Sequence, residues 1–330
     1  MKKCVIFILI LACVALLAAG CGRNTDSGRL KVVATVFPVY DWTREVAGEN
    51  VEPTLLLDNG VDLHSFQPTV DDLILISECD VFIYVGGESD AWVEKALENP
   101  KNERRIVVDL LDLLGERAME ETELEGMQSE HEEDRGNGDE KELDEHIWLS
   151  LRNASFLCPK IADALAKADP ERADVYAKNA AAYAEKLGSL DKKYTDIFAD
   201  RTQNALIIAD RFPFSYLVAD YGFMAYAAFS GCSAETEAST DTVIFLANKV
   251  NETNSGTIFY LESSDGSVAK TVRDATKTKD QSLVALDSLQ SVNAKKIADG
   301  ATYLSAMEKT LSAIAEAVVG AARAEVMSLR

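Results

Sequence analysis

Lys31-Val-Val-Ala-Thr-Val36 reads as a strand, and the alternation that it begins decides the fold. Short apolar runs follow at 51–57, 81–85 and 106–110, rich in the β-branched and aromatic residues that suit a pleated surface. Between them, 40–47, 70–77 and 91–97 carry apolar residues at helical spacing. Strands separated by helices imply a mainly parallel sheet covered by helices. From 153 to about 198 the chain is Ala-rich and helical throughout, with Asp169-Pro170 placed as N-cap and first-turn proline. A helix over 170–199 would run roughly 40 Å at a 1.5 Å rise, the width of a domain. The alternation then restarts at 205–209 and continues through 214–220, 224–229, 240–251, 257–261, 267–276 and 283–286. A last amphipathic helix begins near Tyr303.

The expectation is an α/β protein: two lobes of mainly parallel sheet with flanking helices, joined by one long rigid helix, with a metal cleft between them. The boundaries read as an N-terminal lobe over 30–168, the linking helix over 170–199 and a C-terminal lobe over 203–330. Within the first lobe, 116–145 is crowded with Asp and Glu and lacks an apolar period, so it reads as a mobile surface insertion.

The cleft should hold a metal because of two of the chain's three histidines. His64, in Gly60-Val-Asp-Leu-His-Ser-Phe66, and His146, in Asp144-Glu-His-Ile-Trp148, each stand beside acidic and large apolar residues where loop gives way to regular structure. Imidazole is the commonest side-chain ligand for a transition metal at neutral pH. In open α/β sheets ligands sit beyond the carboxyl ends of the strands, where His64, Asp210 and Asp287 fall. The third histidine, His131, lies in the acidic insertion and reads as part of a solvated charge run.

The N-terminus says where this happens. Lys2 and Lys3 precede an apolar run from Val5 to Ala19, and Leu17-Ala-Ala-Gly-Cys21 follows the pattern of a bacterial lipobox. Residues 1–20 are therefore expected to be a signal peptide and Cys21 the lipidated first residue, tethering the rest to the extracytoplasmic face of the cell membrane. Formal charge is -22, from 33 Lys plus Arg against 55 Asp plus Glu, which argues against nucleic acid and favours the approach of cations. Of six cysteines, Cys4 and Cys13 fall in the signal and Cys79, Cys158 and Cys232 in the body. Three is not a disulfide framework, and there is no CxxC pair.

From Lys31 to about Leu311 the chain resembles the zinc- and manganese-specific solute-binding lipoproteins of ABC importers. The matching phrases run in the family's order: Val33-Ala-Thr-Val-Phe-Pro38, Asp62-Leu-His-Ser-Phe-Gln-Pro-Thr69, Asp80-Val-Phe-Ile-Tyr-Val-Gly-Gly87, Asp90-Ala-Trp92 and Glu145-His-Ile-Trp-Leu149. Phe214-Ser-Tyr-Leu217, Asp220-Tyr-Gly222, Glu237-Ala-Ser239 and Leu286-Asp-Ser-Leu289 complete the set. The resemblance implies a cleft metal bound by three histidines and one carboxylate, with His64 and His146 matching the first two histidines and Asp287 the carboxylate. Arg211 stands where the third histidine would, and a guanidinium has no lone pair to give a metal. Asp210 is the first candidate to fill the gap, ahead of Cys232, Glu235 and Glu262. The implied function is capture of a divalent metal, Zn2+ ahead of Mn2+, and its delivery to a membrane permease. A separate subunit hydrolyses ATP, since no GxxxxGK[ST] loop is present here. A monomer is expected. The same ligands could serve a secreted zinc hydrolase, but HExxH and GxSxG are both missing. A further alternative is that Arg211 marks a cleft for an anion or a chelated metal.

Overall fold

The computed structural model describes residues 29–128, 142–233 and 237–320. Cys21, His131 and Glu235 lie outside them. In the first lobe, strands β1 (Leu30–Ala34), β2 (Val51–Leu55), β3 (Val81–Tyr84) and β4 (Ile106–Asp109) form a sheet in the order β2-β1-β3-β4. The second lobe repeats the scheme with β5 (Ala205–Phe212), β6 (Met224–Ser230), β7 (Thr257–Leu261) and β8 (Ser282–Leu286), in the order β6-β5-β7-β8. Every pairing in both sheets is parallel. In each sheet the chain reverses its winding at the central pair, β1/β3 or β5/β7. Such a switch point leaves a crevice at the carboxyl ends of the strands.

The helices of the first lobe are α1 (Phe37–Ala47), α2 (Val70–Glu78), α3 (Trp92–Ala96), α4 (Leu110–Leu114) and α5 (Leu151–Ala168). A turn of 3-10 helix at Pro170–Arg172 leads into α6 (Ala173–Ala199), the long connection between the lobes. The second lobe carries α7 (Ser215–Tyr221), α8 (Thr240–Thr253), α9 (Ser267–Ala275), α10 (Ala294–Ala298) and α11 (Tyr303–Val319). Among the described residues no helix is long and apolar enough to cross a membrane.

The larger of two core clusters is shared by both sheets, and a smaller one around Ile207, Phe229, Leu246 and Ile258 belongs to the second lobe alone. One cluster of buried side chains runs from Val32, Trp42 and Phe82 through Tyr183 and Phe198 on α6 to Leu206, Leu286 and Tyr303. Tyr303, fully buried, ties the lobes by polar contacts as well. Its N–H donates to Asp41 Oδ2 at 2.8 Å, its hydroxyl donates to the Trp148 carbonyl at 2.6 Å, and its ring meets Trp42 edge-on with centroids 5.2 Å apart. A continuous apolar core along a 27-residue helix resists the wide hinge opening that a small polar interface would allow.

Two departures from the sequence reading matter for the site. The first is β5, which continues to Phe212 rather than stopping at 209, and its register against β6 slips between Ile208 and Arg211. The resulting bulge re-aims successive side chains, as bulges do. The second is the acidic segment over 116–145, whose described flanks are packed. Glu120 bridges Leu143, Met119 N–H donates to the Tyr216 hydroxyl at 2.9 Å, and Gln128 N–H reaches the Ala228 carbonyl at 2.9 Å. Asp144 and Glu145, at its end, are 2% and 1% exposed. Charge content alone gave no sign that these two carboxylates are interior.

Asp90 closes the turn after β3, with Oδ2 accepting N–H from Val85 at 2.9 Å and Gly86 at 3.1 Å. Burial, with help from the carboxylates of Glu145 and Asp109, pushes its pKa up to about 7. Because this value exceeds the unfolded one of about 3.9, the folded protein binds the extra proton. Stability from this group is complete below the unfolded pKa and is lost as pH rises through about 7. Asp90→Asn keeps an acceptor without the charge. Relative to wild type, the variant should gain about 1–3 kcal/mol between pH 5 and pH 8.5 in denaturant melts; a stability difference unchanged with pH would show that Asp90 is ionised in the folded state throughout.

Candidate metal centre

His64 sits in a 3-10 turn, Leu63–Ser65, that Asp62 caps by accepting the His64 N–H through Oδ1 at 3.1 Å. Buried Leu63 and Phe66 pin the turn on either side, Phe66 against the Trp92 ring. The His64 Nδ1 lies 2.7 Å from Ser89 Oγ, and the Ser89 N–H in turn donates to Glu145 Oε1 at 2.7 Å. Gly87 makes this possible: a Cβ there would come within 2.6 Å of the Glu145 side chain, and its φ of +81° suits glycine.

His146 N-caps the turn Ile147–Leu149 and is wholly buried. Asp144 Oδ1 accepts both its backbone N–H and its Nδ1–H, each at 2.8 Å. A carboxylate can only accept, so Nδ1 carries a proton and Nε2 is the nitrogen left to meet a metal. Burial acts to raise the Asp144 carboxyl, but the charge and hydrogen bonds of His146 hold it below the usual carboxylate range.

The two rings lie side by side, tilted by 57° with centroids 5.4 Å apart. Each has its Nδ1 engaged from behind, and each has an Nε2 that is buried with no hydrogen-bond partner among the described residues. A polar atom desolvated without a partner costs on the order of 1–3 kcal/mol, so a pair aimed at one gap calls for a cation between them. Histidines that ligate metals are oriented in just this way, by a carboxylate or hydroxyl on the far ring nitrogen. Burial, and then His146, lower the His64 pKa to about 4, so its imidazole is neutral at pH 7 and free to donate.

Cys232 brings the third donor. Its sulfur and one nitrogen of each histidine lie within 4.8 Å of one another. Gly231 lets this loop approach, since a Cβ there would come 2.9 Å from His146 Cε1 and 3.0 Å from the Phe212 carbonyl oxygen. The Cys232 N–H donates to Glu121 Oε1 at 3.3 Å. Burial and the carboxylates of Glu145, Glu121 and Asp144 push the thiol pKa up, so a bound metal would have to displace its proton. A cavity of about 470 Å³ opens beside Cys232, lined by Glu88, Asp109, Glu121, Glu142 and Glu145 among others.

The remaining sequence-derived candidates stand elsewhere. Asp210, expected to turn into the cleft, lies within β5 and spends both carboxylate oxygens on internal donors. Its Oδ1 accepts the Arg211 N–H, and its Oδ2 accepts the Leu261 N–H and the Ser264 hydroxyl. Asp287 is outside the His64–His146–Cys232 group; its Oδ1 accepts the Leu289 N–H at 2.9 Å. Glu262 takes the Ser288 N–H and the hydroxyls of Ser288 and Ser291, with its pKa raised to about 7 by burial and the Asp287 charge. Those two carboxyls brace the loop after β8, which the Trp148 Nε1–H also holds at the Ser288 carbonyl. Arg211 spans the cleft to Asp62 Oδ2 at 2.7 Å.

Sequence reasoning missed Asp144, Glu145 and Ser89 as the groups behind the imidazoles. The signals were present in an acid two residues before His146 and in the Gly86-Gly87 pair ahead of Ser89.

Comparison with known proteins gives the family. Residues 32–317 match the model of the family described as zinc-uptake complex component A, periplasmic. The zinc-binding lipoprotein AdcA of Streptococcus pneumoniae (strain ATCC BAA-255 / R6) is 31% identical over 95% of this chain, which spans only 60% of that protein's length. The high-affinity zinc uptake system protein ZnuA of Bacillus subtilis (strain 168) is 27% identical over 94% of this chain and 97% of its own. The crystal structure of the Zn(II)-bound ZnuA-like domain of S. pneumoniae AdcA superposes with a TM-score of 0.70, at 28% identity, over 88% of this chain and all of that one. The chain belongs to the family of zinc-uptake complex component A proteins.

Proposed function

We propose that this protein is an extracytoplasmic binding protein that captures Zn2+ and hands it to an ABC permease, and that it catalyses no reaction. One observation carries the reading: two imidazoles, each held from behind, have buried Nε2 atoms with no partner among the described residues, and a nitrogen of each lies within 4.8 Å of the other and of a thiol. We assign His64, His146 and Cys232 as the ligands. Two nitrogens and a sulfur suit zinc, which takes Cys at about 2.3 Å and His at about 2.0–2.1 Å in a tetrahedral shell. Water or a nearby carboxylate can complete it. The thiolate argues for Zn2+ over Mn2+, which prefers harder oxygen donors. The acidic cavity beside Cys232 raises the local cation concentration at the point of entry.

The names of the relatives support zinc as cargo and a lipoprotein as the form of attachment. Cys21, after its signal-like run, would be the anchor, placing the domain outside the cell membrane. A separate membrane permease and ATPase would accept the ion, and the binding protein would act as a monomer.

Zinc titration of the demetallated domain should show one tight site, with nanomolar affinity corresponding to about -12 kcal/mol. His64→Ala and His146→Ala should each weaken binding by about 100-fold or more, and Cys232→Ser by about 10- to 100-fold. With Co2+ as the probe, wild type should show a sulfur-to-metal charge-transfer band that Cys232→Ser lacks; the band surviving in that variant would remove Cys232 from the ligand set. Asp210→Asn is expected to leave zinc affinity within about threefold and to lower the melting temperature, since its contacts are internal. A large loss of zinc affinity there would restore Asp210 as a ligand.

A further inference from the structure

Arg211 occupies the position from which a third imidazole was expected, and the structure shows what it does instead. Because β5 continues through Phe212 and successive strand residues face opposite sides, Asp210 turns to Leu261 while the Arg211 guanidinium meets the Asp62 carboxylate of the other lobe. Both side chains are largely buried, 17% and 20% exposed, which distinguishes the pair from a loose surface contact. Asp62 is divided between two tasks. Its Oδ2 takes Arg211 at 2.7 Å, while its Oδ1 caps the His64 N–H. The chain of contacts thus runs from β5 through Asp62 to the backbone of His64. A second tie holds the same loop, since the Ala294 N–H donates to the Asp58 carbonyl at 2.7 Å.

We propose that Arg211 and Asp62 form a cross-cleft strut that positions His64 for the metal, in place of a further ligand from β5. A guanidinium suits this work because it stays protonated, cannot compete for the metal as a donor and holds a carboxylate in fixed geometry. Asp62, neutralised by Arg211, is kept from swinging onto the metal. The strut links the lobes before any ion arrives, so the gap between the imidazoles is set in advance. Arg211 is a positioning residue: it acts on the metal only through Asp62 and His64. The proposal rests on the assignment of His64 as a ligand.

The test compares Arg211→Met, Arg211→Lys, Asp62→Asn and the Arg211→Met/Asp62→Asn double variant, each checked for folding by circular dichroism. Two quantities are read: zinc release to a competing chelator, and amide hydrogen exchange over 61–66 in the metal-free protein. Arg211→Met and Asp62→Asn should each speed zinc release about 10- to 100-fold, with the double variant no faster than the faster single one. Arg211→Lys should fall between wild type and Arg211→Met. Exchange over 61–66 should quicken in Arg211→Met, while the Co2+ sulfur band persists in every variant. Release and exchange at wild-type rates in Arg211→Met would overturn the strut. Additive effects in the double variant, or loss of the sulfur band, would overturn it equally. Should Arg211→Met fail to fold, Arg211→Lys and Asp62→Asn, close in size to the originals, decide the question by release rate. Wild-type protein that takes up no zinc would sink the ligand assignment instead, and the exchange arm on metal-free protein would still report on the strut.

Discussion

Two imidazole nitrogens that are buried and without a partner among the described residues constrain everything around them. Such atoms are costly in a protein interior unless something accepts their lone pairs. The residues behind them are arranged to prevent any internal remedy. Asp144 fixes His146 with its proton on the far nitrogen, and Ser89, itself held by Glu145, fixes His64. Neither ring can rotate to find a partner without breaking a bond in a dry region. Gly87 and Gly231 are the steric counterpart, each allowing a backbone approach that a single methyl group would block.

Placement of these groups follows from topology. The two sheets share one strand order, and each has its switch point at the central strands. His64 and Ser89 leave the carboxyl ends of β2 and β3, and Arg211 and Cys232 lie at or just past those of β5 and β6. The larger core cluster crosses from one lobe to the other along α6, so the facing edges are held close without an ion. Metal uptake in such a frame calls for local adjustment of loops rather than rotation of whole lobes. The Arg211–Asp62 contact belongs to this design, joining opposite edges a short way from the gap.

Strands and helices were legible in the sequence because their apolar periods are clean, and His64 and His146 were legible because they are scarce and similarly flanked. What the sequence obscured has physical causes. Asp210 and Arg211 were read as loop residues because their charges look like a strand end, whereas β5 runs on to Phe212 and its alternation puts them on opposite faces. Asp144 and Glu145 were grouped with an acidic run, since burial of a carboxylate depends on partners distant in the chain, such as Ser89. Cys232 ranked below Asp210 for a similar reason. Its nearness to His146 depends on Gly231 packing against a ring 85 positions earlier, which no local pattern encodes.

Zinc K-edge X-ray absorption of the loaded protein tests the central claim most directly, because it counts donor types around the ion itself. A shell with one sulfur near about 2.3 Å and two imidazole nitrogens near about 2.0 Å is the predicted result. A shell built from oxygen and nitrogen alone, or one with a single imidazole, would contradict the account.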